Sequence, residues 1–273
     1  MVSSWALTLT RKSCFAKLLF ACASCAARRS GPFLWRTQNA RSGDGREAGK
    51  KAGAHRRRLA GLGLGLTKEF LRRGYHVTAT VRTAIHGAGL EEYYQQLTLD
   101  TLDINNPNMA DAFLARMKGH VFDLVVLNAG IYGPRDKGLD EVTAEEITHL
   151  MMTNAIAPLR LAERLALLLK PETGVLAFMS SALGSLELNA NDASPLYAAS
   201  KAMLNRLSRA FAAAHEYLTI VNLHPGWVRT DMGGETAPLD VETSAKGMAD
   251  VLESRAGSGG HEFLDYRGKI VPW

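Results

Sequence analysis

Three short, apolar-rich runs limit what this chain can fold into: Phe122–Leu127, Gly174–Met179 and Leu218–Leu223. They lack the strict apolar–polar alternation of a strand with one wet face. Such runs are expected of strands buried on both faces, as in a parallel sheet covered by helices. A fourth run, Tyr75–Val81, alternates, carries β-branched residues and also reads as a strand. Between the runs lie helical patterns, one from Leu64 to Arg73 and a long amphipathic one from about Ala144 to Leu169. Strand and helix signals thus alternate from Leu62 to Leu223. That order predicts an α/β fold, a doubly wound parallel sheet with helices on both faces in a single domain.

The apolar runs stop at residues that carry chemistry. Phe122–Leu127 ends at Asn128-Ala129-Gly130, where small residues let backbone approach a ligand closely. Gly174–Met179 ends at Ser180-Ser181, and Leu218–Leu223 runs into His224-Pro225-Gly226-Trp227-Val228-Arg229-Thr230. In open α/β sheets, ligands bind at this carboxyl edge. A serine there is suited to bonding a substrate carbonyl or hydroxyl. Tyr197 and Lys201, four residues apart, share one helix face. An ammonium beside a phenol in a dry pocket favours phenolate and lowers the tyrosine pKa, which suits exchange of a proton with an alcohol or carbonyl. Asn154 lies within the amphipathic stretch. A mid-helix Asn is disfavoured unless its amide bonds a backbone carbonyl or holds a water.

Gly61-Leu62-Gly63 opens the Leu64–Arg73 helix, Gly74 closes it, and the Tyr75–Val81 strand follows. A glycine turn, helix and strand at this spacing form half of a dinucleotide-binding unit, with the pyrophosphate at the helix N-terminus. Gly65 adds a second Gly-x-Gly in register. Arg82 follows the strand, where an acidic residue would bond the free ribose hydroxyls of NAD. A guanidinium suits the 2′-phosphate of NADP instead.

Taken in order, Asn128-Ala129-Gly130, Asn154, Ser181, Tyr197-x-x-x-Lys201 and Pro225-Gly226-x-x-x-Thr230 resemble the signature of the short-chain dehydrogenase/reductase family over residues 60–273. Met179–Leu188, Trp227–Met232 and the Tyr-Arg-Gly-Lys ending look most like its carbonyl-reductase branch, which includes C-factor-like and sniffer-like proteins. The resemblance implies a Rossmann-type sheet, Tyr197 as acid/base, Ser181 orienting the substrate oxygen, and Asn154 holding a water that relays protons. By the same likeness Lys201 lowers the tyrosine pKa and grips the nicotinamide ribose, so the Tyr197–Lys201 pair also counts among the cofactor contacts. Asp103 falls where the family's acidic residue meets the adenine amine. Pro225, Gly226, Val228 and Thr230 match the loop against the nicotinamide amide. The implied activity is interconversion of a carbonyl and an alcohol with NADP, NAD being less favoured. A non-catalytic, dinucleotide-binding regulator on the same fold is the alternative. Homodimers or homotetramers are implied by likeness alone. The segment between Ser181 and Tyr197 is slightly long for the family, around Asn189 to Ser194, and Gly233-Gly234 suggests a mobile flap over the substrate.

The first sixty residues depart from this pattern. The family has an apolar strand and Thr-Gly-x-x-x-Gly-x-Gly at the start of the domain, yet the position of its first glycine is Arg57, within Arg56-Arg57-Arg58. The missing strand would be central, and its absence would leave buried backbone groups unpaired at about 1–3 kcal/mol each. Trp5–Thr10 has strand-like alternation but lies far from Gly61. Residues 1–60 carry thirteen Lys and Arg against two acids, a net of +11, leaving −6 on the remainder. The expected division is therefore a basic extension, 1–59, disordered or misassigned, and a dinucleotide-binding domain, 60–273. The acidic remainder has no interleaved aromatic patch and does not suggest nucleic-acid binding. All three cysteines, Cys14, Cys22 and Cys25, lie in the extension, and the scattered histidines lack metal-ligand spacing. Leu18–Ala27 is too short to span a bilayer, though with its basic flank it weakly resembles a targeting segment. A cytoplasmic protein with a small-molecule substrate is expected, without nucleic-acid or membrane partners.

Overall fold

A computed structural model describes residues 17–21 (backbone only), 61–82, 90–135, 137–188 and 194–273. Seven parallel strands form one sheet in the order β3-β2-β1-β4-β5-β6-β7. The strands are β1 (Lys17–Ala21), β2 (His76–Val81), β3 (Leu97–Thr101), β4 (Leu124–Leu127), β5 (Val175–Met179), β6 (Thr219–His224) and β7 (Gly260–Asp265). Helix α1 (Gly61–Arg72) precedes β2, and α2 (Pro107–Met117) follows β3. Between β4 and β5 run α3 (Ala144–Met151), a π-helical turn (Met152–Ile156) and α4 (Ala157–Leu165). Helix α5 (Pro195–Ala214) precedes β6, and α6 (Val241–Ser254) precedes β7.

The central slot is not empty. Lys17–Ala21 pairs with β2 from Lys17↔His76 to Ala21↔Thr80, and with β4 from Leu18↔Leu124 to Ala21↔Leu127. The sheet therefore draws a strand from the segment that composition sets apart as an extension, and both flanking strands find a partner along that edge. The strand comes from the apolar Lys-Leu-Leu-Phe-Ala run, part of which resembles a targeting segment in the sequence. Trp5–Thr10 and Arg57 lie outside the described residues.

Successive residues of the central strands feed two cores. Leu124, Val126, Val175, Ala177, Val221 and Leu223 pack with Leu66 and Phe70 of α1 and Met248 and Val251 of α6. Val125, Leu127, Leu176, Phe178 and Ile220 pack with Phe113 of α2, Leu161 and Leu165 of α4, and Leu204 and Phe211 of α5. The period of two is intact, hidden in the sequence because both faces are apolar.

Local chemistry sets the helix ends. Gly74, at φ +84°, ends α1: its N–H bonds the Leu71 carbonyl while the Tyr75 N–H bonds the Phe70 carbonyl, a Schellman pair. Asn106 caps α2 by accepting from the Met109 N–H, with Pro107 first in the helix. Helices α1 and α6 are tied together by Arg73, which bonds Glu69, Asp250 and Glu253.

Gly65 marks the tightest approach of those two helices, since a Cβ there would lie 2.5 Å from Val241 Cγ1 and 3.3 Å from the Ala245 Cβ. Alanine would gain about 1 kcal/mol of helix propensity, but overpacking costs about 1–3 kcal/mol. Gly65→Ala is therefore expected to lower stability in urea denaturation by roughly 1 kcal/mol, the middle of the difference between these two effects. A neutral or stabilised variant would show that the α1–α6 contact is looser than described.

Candidate active site

The Tyr–Lys pair stands on α5, which Pro195 opens at its first position. Tyr197 and Lys201 are both buried, and the Lys201 Nζ lies 5.8 Å from the Tyr197 ring centroid. That amine donates to the Met179 carbonyl at 2.8 Å, at the end of β5. It also packs against Gly130, where a Cβ would sit 3.4 Å from Nζ and 3.6 Å from Asn154 Oδ1. A methyl group at position 130 would just touch the ammonium, and a longer side chain would extend into this part of the site.

Asn154 is fully buried in the π-helical turn between α3 and α4. Its Nδ2 donates to the Ile131 carbonyl and to Ser200 Oγ, both at 2.8 Å, and its Oδ1 accepts from the Ile131 N–H at 2.7 Å. Of the two uses that the sequence allows for a mid-helix Asn, the backbone bond is the one observed, and it clamps the loop after β4 to α5. Single-turn π segments are frequent at functional sites.

The two serines after β5 diverge. Ser180 Oγ donates to Asn205 Oδ1 at 2.6 Å and turns into the core. Ser181 caps the short turn Ala182–Gly184, accepts from the Leu183 N–H at 3.2 Å, and hydrogen-bonds Tyr197.

One expectation needs correction. Burial pushes the Tyr197 phenol up to about 12, the hydrogen bond from Ser181 acts the other way, and the nearby Tyr132 pushes it further up. Lys201 is not among the causes of the shift; its own pKa falls to about 8 through burial. In this environment desolvation dominates, and the pKa of the phenol is raised and not lowered.

The remaining candidates gather along the carboxyl edge of the sheet. Gly61, at φ +56°, opens α1 beside Thr230, whose Cγ2 would be 3.4 Å from a Cβ there. Gly63 is buried one turn before Thr67, which bonds its carbonyl. Arg82 follows β2, and its Nε and Nη2 are buried without a hydrogen-bond partner. Asp103 follows β3 and accepts from the Asn105 N–H at 2.9 Å. Asn128 and Ala129 follow β4 and lead to Gly130. Pro225 accepts from Ser244 Oγ, Val228 bridges to Leu239, and Thr230 Oγ1 bonds the Val228 carbonyl. The Gly233-Gly234 segment is a hydrogen-bonded turn: Gly233 N–H bonds Thr230 Oγ1, Gly234 N–H bonds the Thr230 carbonyl, and Trp227 Nε1 bonds the Gly233 carbonyl.

A half-buried guanidinium with two nitrogens unpaired among the described residues, a helix opening at Gly61 and a small-residue loop at Gly130 together fit a phosphate-bearing dinucleotide. Among the described residues no cluster of His, Cys, Asp and Glu could hold a metal, and no helix is long and apolar enough to cross a membrane.

The profile of the short chain dehydrogenase family matches residues 58–239. The chain belongs to this family. It is 35% identical over 156 residues to C-signal of Myxococcus xanthus, covering 55% of this chain and 92% of that one. A carbonyl reductase of Pseudomonas aeruginosa PAO1, solved in complex with NADP, superposes with a TM-score of 0.73 at 42% identity, over 78% of this chain and 95% of that one. Carbonyl reductase Sniffer of D. melanogaster does so with a TM-score of 0.69 at 29% identity, over 78% and 96%. As a short chain dehydrogenase the protein is an NAD(P)-dependent oxidoreductase.

Residues absent from the family signature complete the site. Tyr132 stacks on Tyr197, Ser200 anchors Asn154, and Asn205, one turn beyond Lys201, holds Ser180 and the Gly184 carbonyl. Asn205 was detectable in principle, because it extends the i, i+4 series from Tyr197 through Lys201.

The depressed lysine makes a signed prediction. Its folded pKa of about 8 lies below the ordinary lysine value of 10.5, so the unfolded state binds more protons between these values and stability rises with pH there. The penalty is fully present below the folded value. Relative to Lys201→Met, the wild type should gain about 2–3 kcal/mol between pH 7 and pH 10, read from urea denaturation at both. An unchanged difference would mean that the amine is not desolvated.

Proposed function

We propose that this short chain dehydrogenase uses NADP to interconvert a carbonyl and an alcohol, with Tyr197 as the acid/base. The observation that carries the proposal is the placement of the Tyr197 hydroxyl against Ser181, with the Lys201 amine on the same helix face and Gly130 opposite. NADPH, when bound, supplies the hydride. Ser181 holds the substrate oxygen, and the protonated phenol gives that oxygen its proton as negative charge develops there. Lys201, protonated below about pH 8, supports the pair with its positive charge and would reach the nicotinamide ribose. Asn154 keeps one lone pair of Oδ1 beyond its bond to Ile131, and the space that a Gly130 side chain would fill lies between that oxygen and Nζ. A water there would link the two and carry protons to Lys201.

Arg82 would pair its unpartnered guanidinium with the 2′-phosphate, and Asp103 would meet the adenine amine. Gly61 and Gly63 would place the pyrophosphate at the start of α1, with Asn128, Ala129 and Gly130 lining the bound dinucleotide. Pro225, Gly226, Val228 and Thr230 would face the nicotinamide amide. The relatives support this assignment, one of them being a carbonyl reductase solved with NADP.

Tyr197→Phe should abolish reduction of small aldehydes and ketones while leaving the NADPH Kd within about threefold, because the ring remains and only the hydroxyl is lost. Binding without turnover in the wild type would instead mark a regulator. Arg82→Ala should weaken NADPH binding roughly tenfold to a hundredfold, the worth of a charge-assisted phosphate contact, and barely change NADH binding. Equal losses for both nucleotides would remove Arg82 from the 2′-phosphate site.

A further inference from the structure

Tyr197 has an aromatic neighbour that the Tyr–Lys spacing does not reveal. Tyr132 lies two residues beyond Gly130, and its ring stacks on that of Tyr197 with centroids 4.8 Å apart and planes within 11°. The Tyr132 hydroxyl is hydrogen-bonded to Ser194, the residue just before α5. The Arg135 guanidinium sits 4.0 Å from the centroid of the Tyr132 ring. Arg135 also donates through Nη2 to the Met232 carbonyl at 2.6 Å. Tyr132 is thereby held by the loop after β4, the start of α5 and the loop after β6, and it presents a flat face to Tyr197.

A phenol in the first turn of a helix has two torsions to fix, and a helix alone fixes neither tightly. A parallel ring at stacking distance permits in-plane sliding but opposes rotation out of the plane. We propose that Tyr132 is a positioning residue: its ring, braced by Arg135 and Ser194, holds the Tyr197 phenol in the orientation that meets the substrate oxygen. The inference rests on the assignment of Tyr197 as acid/base. Tyr132 is half-buried and shields one face of Tyr197 from water, so its loss would wet the phenol as well as free it. The groups facing the Tyr197 ring and hydroxyl are Ser181, Tyr132 and Lys201, with Arg135 behind Tyr132.

The test compares Tyr132→Leu, which removes the flat face, with Tyr132→Phe, which keeps it and loses only the bond to Ser194. With saturating NADPH and 4-nitrobenzaldehyde, Tyr132→Leu should lower kcat about tenfold or more, as expected for a misplaced acid. The NADPH Kd, followed by fluorescence, should stay unchanged. The basic limb of the kcat–pH profile should move to lower pH as the phenol becomes wetter. Tyr132→Phe should recover most of kcat. Should Tyr132→Leu fail to fold, Arg135→Gln, at an exposed position, should show a smaller loss of kcat with an unchanged NADPH Kd, because the ring stays against Tyr197 but loses one brace. A folded Tyr132→Leu enzyme with wild-type kcat and pH profile would overturn the inference, as would Tyr132→Phe performing no better than Tyr132→Leu. Tyr197→Phe is run alongside. If it is inactive while Tyr132→Leu is normal, only the positioning role falls; if it keeps full turnover, the acid/base assignment fails and takes this inference with it.

Discussion

An ammonium out of contact with water dictates the form of this active site. Lys201 is 2% exposed, and the described contacts give its amine one hydrogen bond, to the Met179 carbonyl. A buried cation is costly unless its surroundings are arranged for it. Position 130 is a glycine that lies against the amine, where a Cβ would be in van der Waals contact with Nζ at 3.4 Å. Asn154 must turn inward from a π-helical turn to fix the loop that carries that glycine. The strand β5 must end where its last carbonyl can accept from the amine. The same burial raises the Tyr197 phenol to about 12 and lowers the Lys201 amine to about 8. The sheet serves this arrangement by bringing the ends of β2, β3, β4, β5 and β6 to one edge.

Much of the fold could be read from residue patterns, and the reasons are physical. Strands β4, β5 and β6 announce themselves because both faces are buried. Strands β3 and β7 lie at the two edges of the sheet, and Leu97-Thr98-Leu99-Asp100-Thr101 and Gly260-His261-Glu262-Phe263-Leu264-Asp265 mix polar residues into short segments that resemble loops. The central strand was hidden for another reason. A strand is expected to run directly into its glycine turn, and here the long basic segment from Cys22 to Ala60 separates Ala21 from Gly61. The apolar run at Lys17–Ala21 was visible, but its place between β2 and β4 is a long-range pairing that no local pattern encodes.

The site divides in the same way. Spacing revealed Tyr197 with Lys201, and the ordered signature pointed to Ser181, Asn154 and the glycine loops. The direction of the tyrosine shift was not legible, because it depends on how completely α5 is covered, and coverage is a property of the whole fold. Tyr132 was invisible for a similar reason: an aromatic after a glycine loop gains meaning only when another element brings a second ring against it. Gly65, the last of three alternating glycines at the start of α1, lies where α1 meets α6, a contact that no local pattern reveals.

The central claim is that this cleft carries a hydride to a carbonyl carbon while the phenol protonates the oxygen. The most direct measurement uses NADPH deuterated at the transferable nicotinamide position with a panel of aromatic aldehydes and cyclic ketones, followed by mass spectrometry of the products. The account predicts alcohols bearing one deuterium on the carbinol carbon. Tight binding of NADPH with every carbonyl recovered unreduced across the neutral and alkaline range would contradict it.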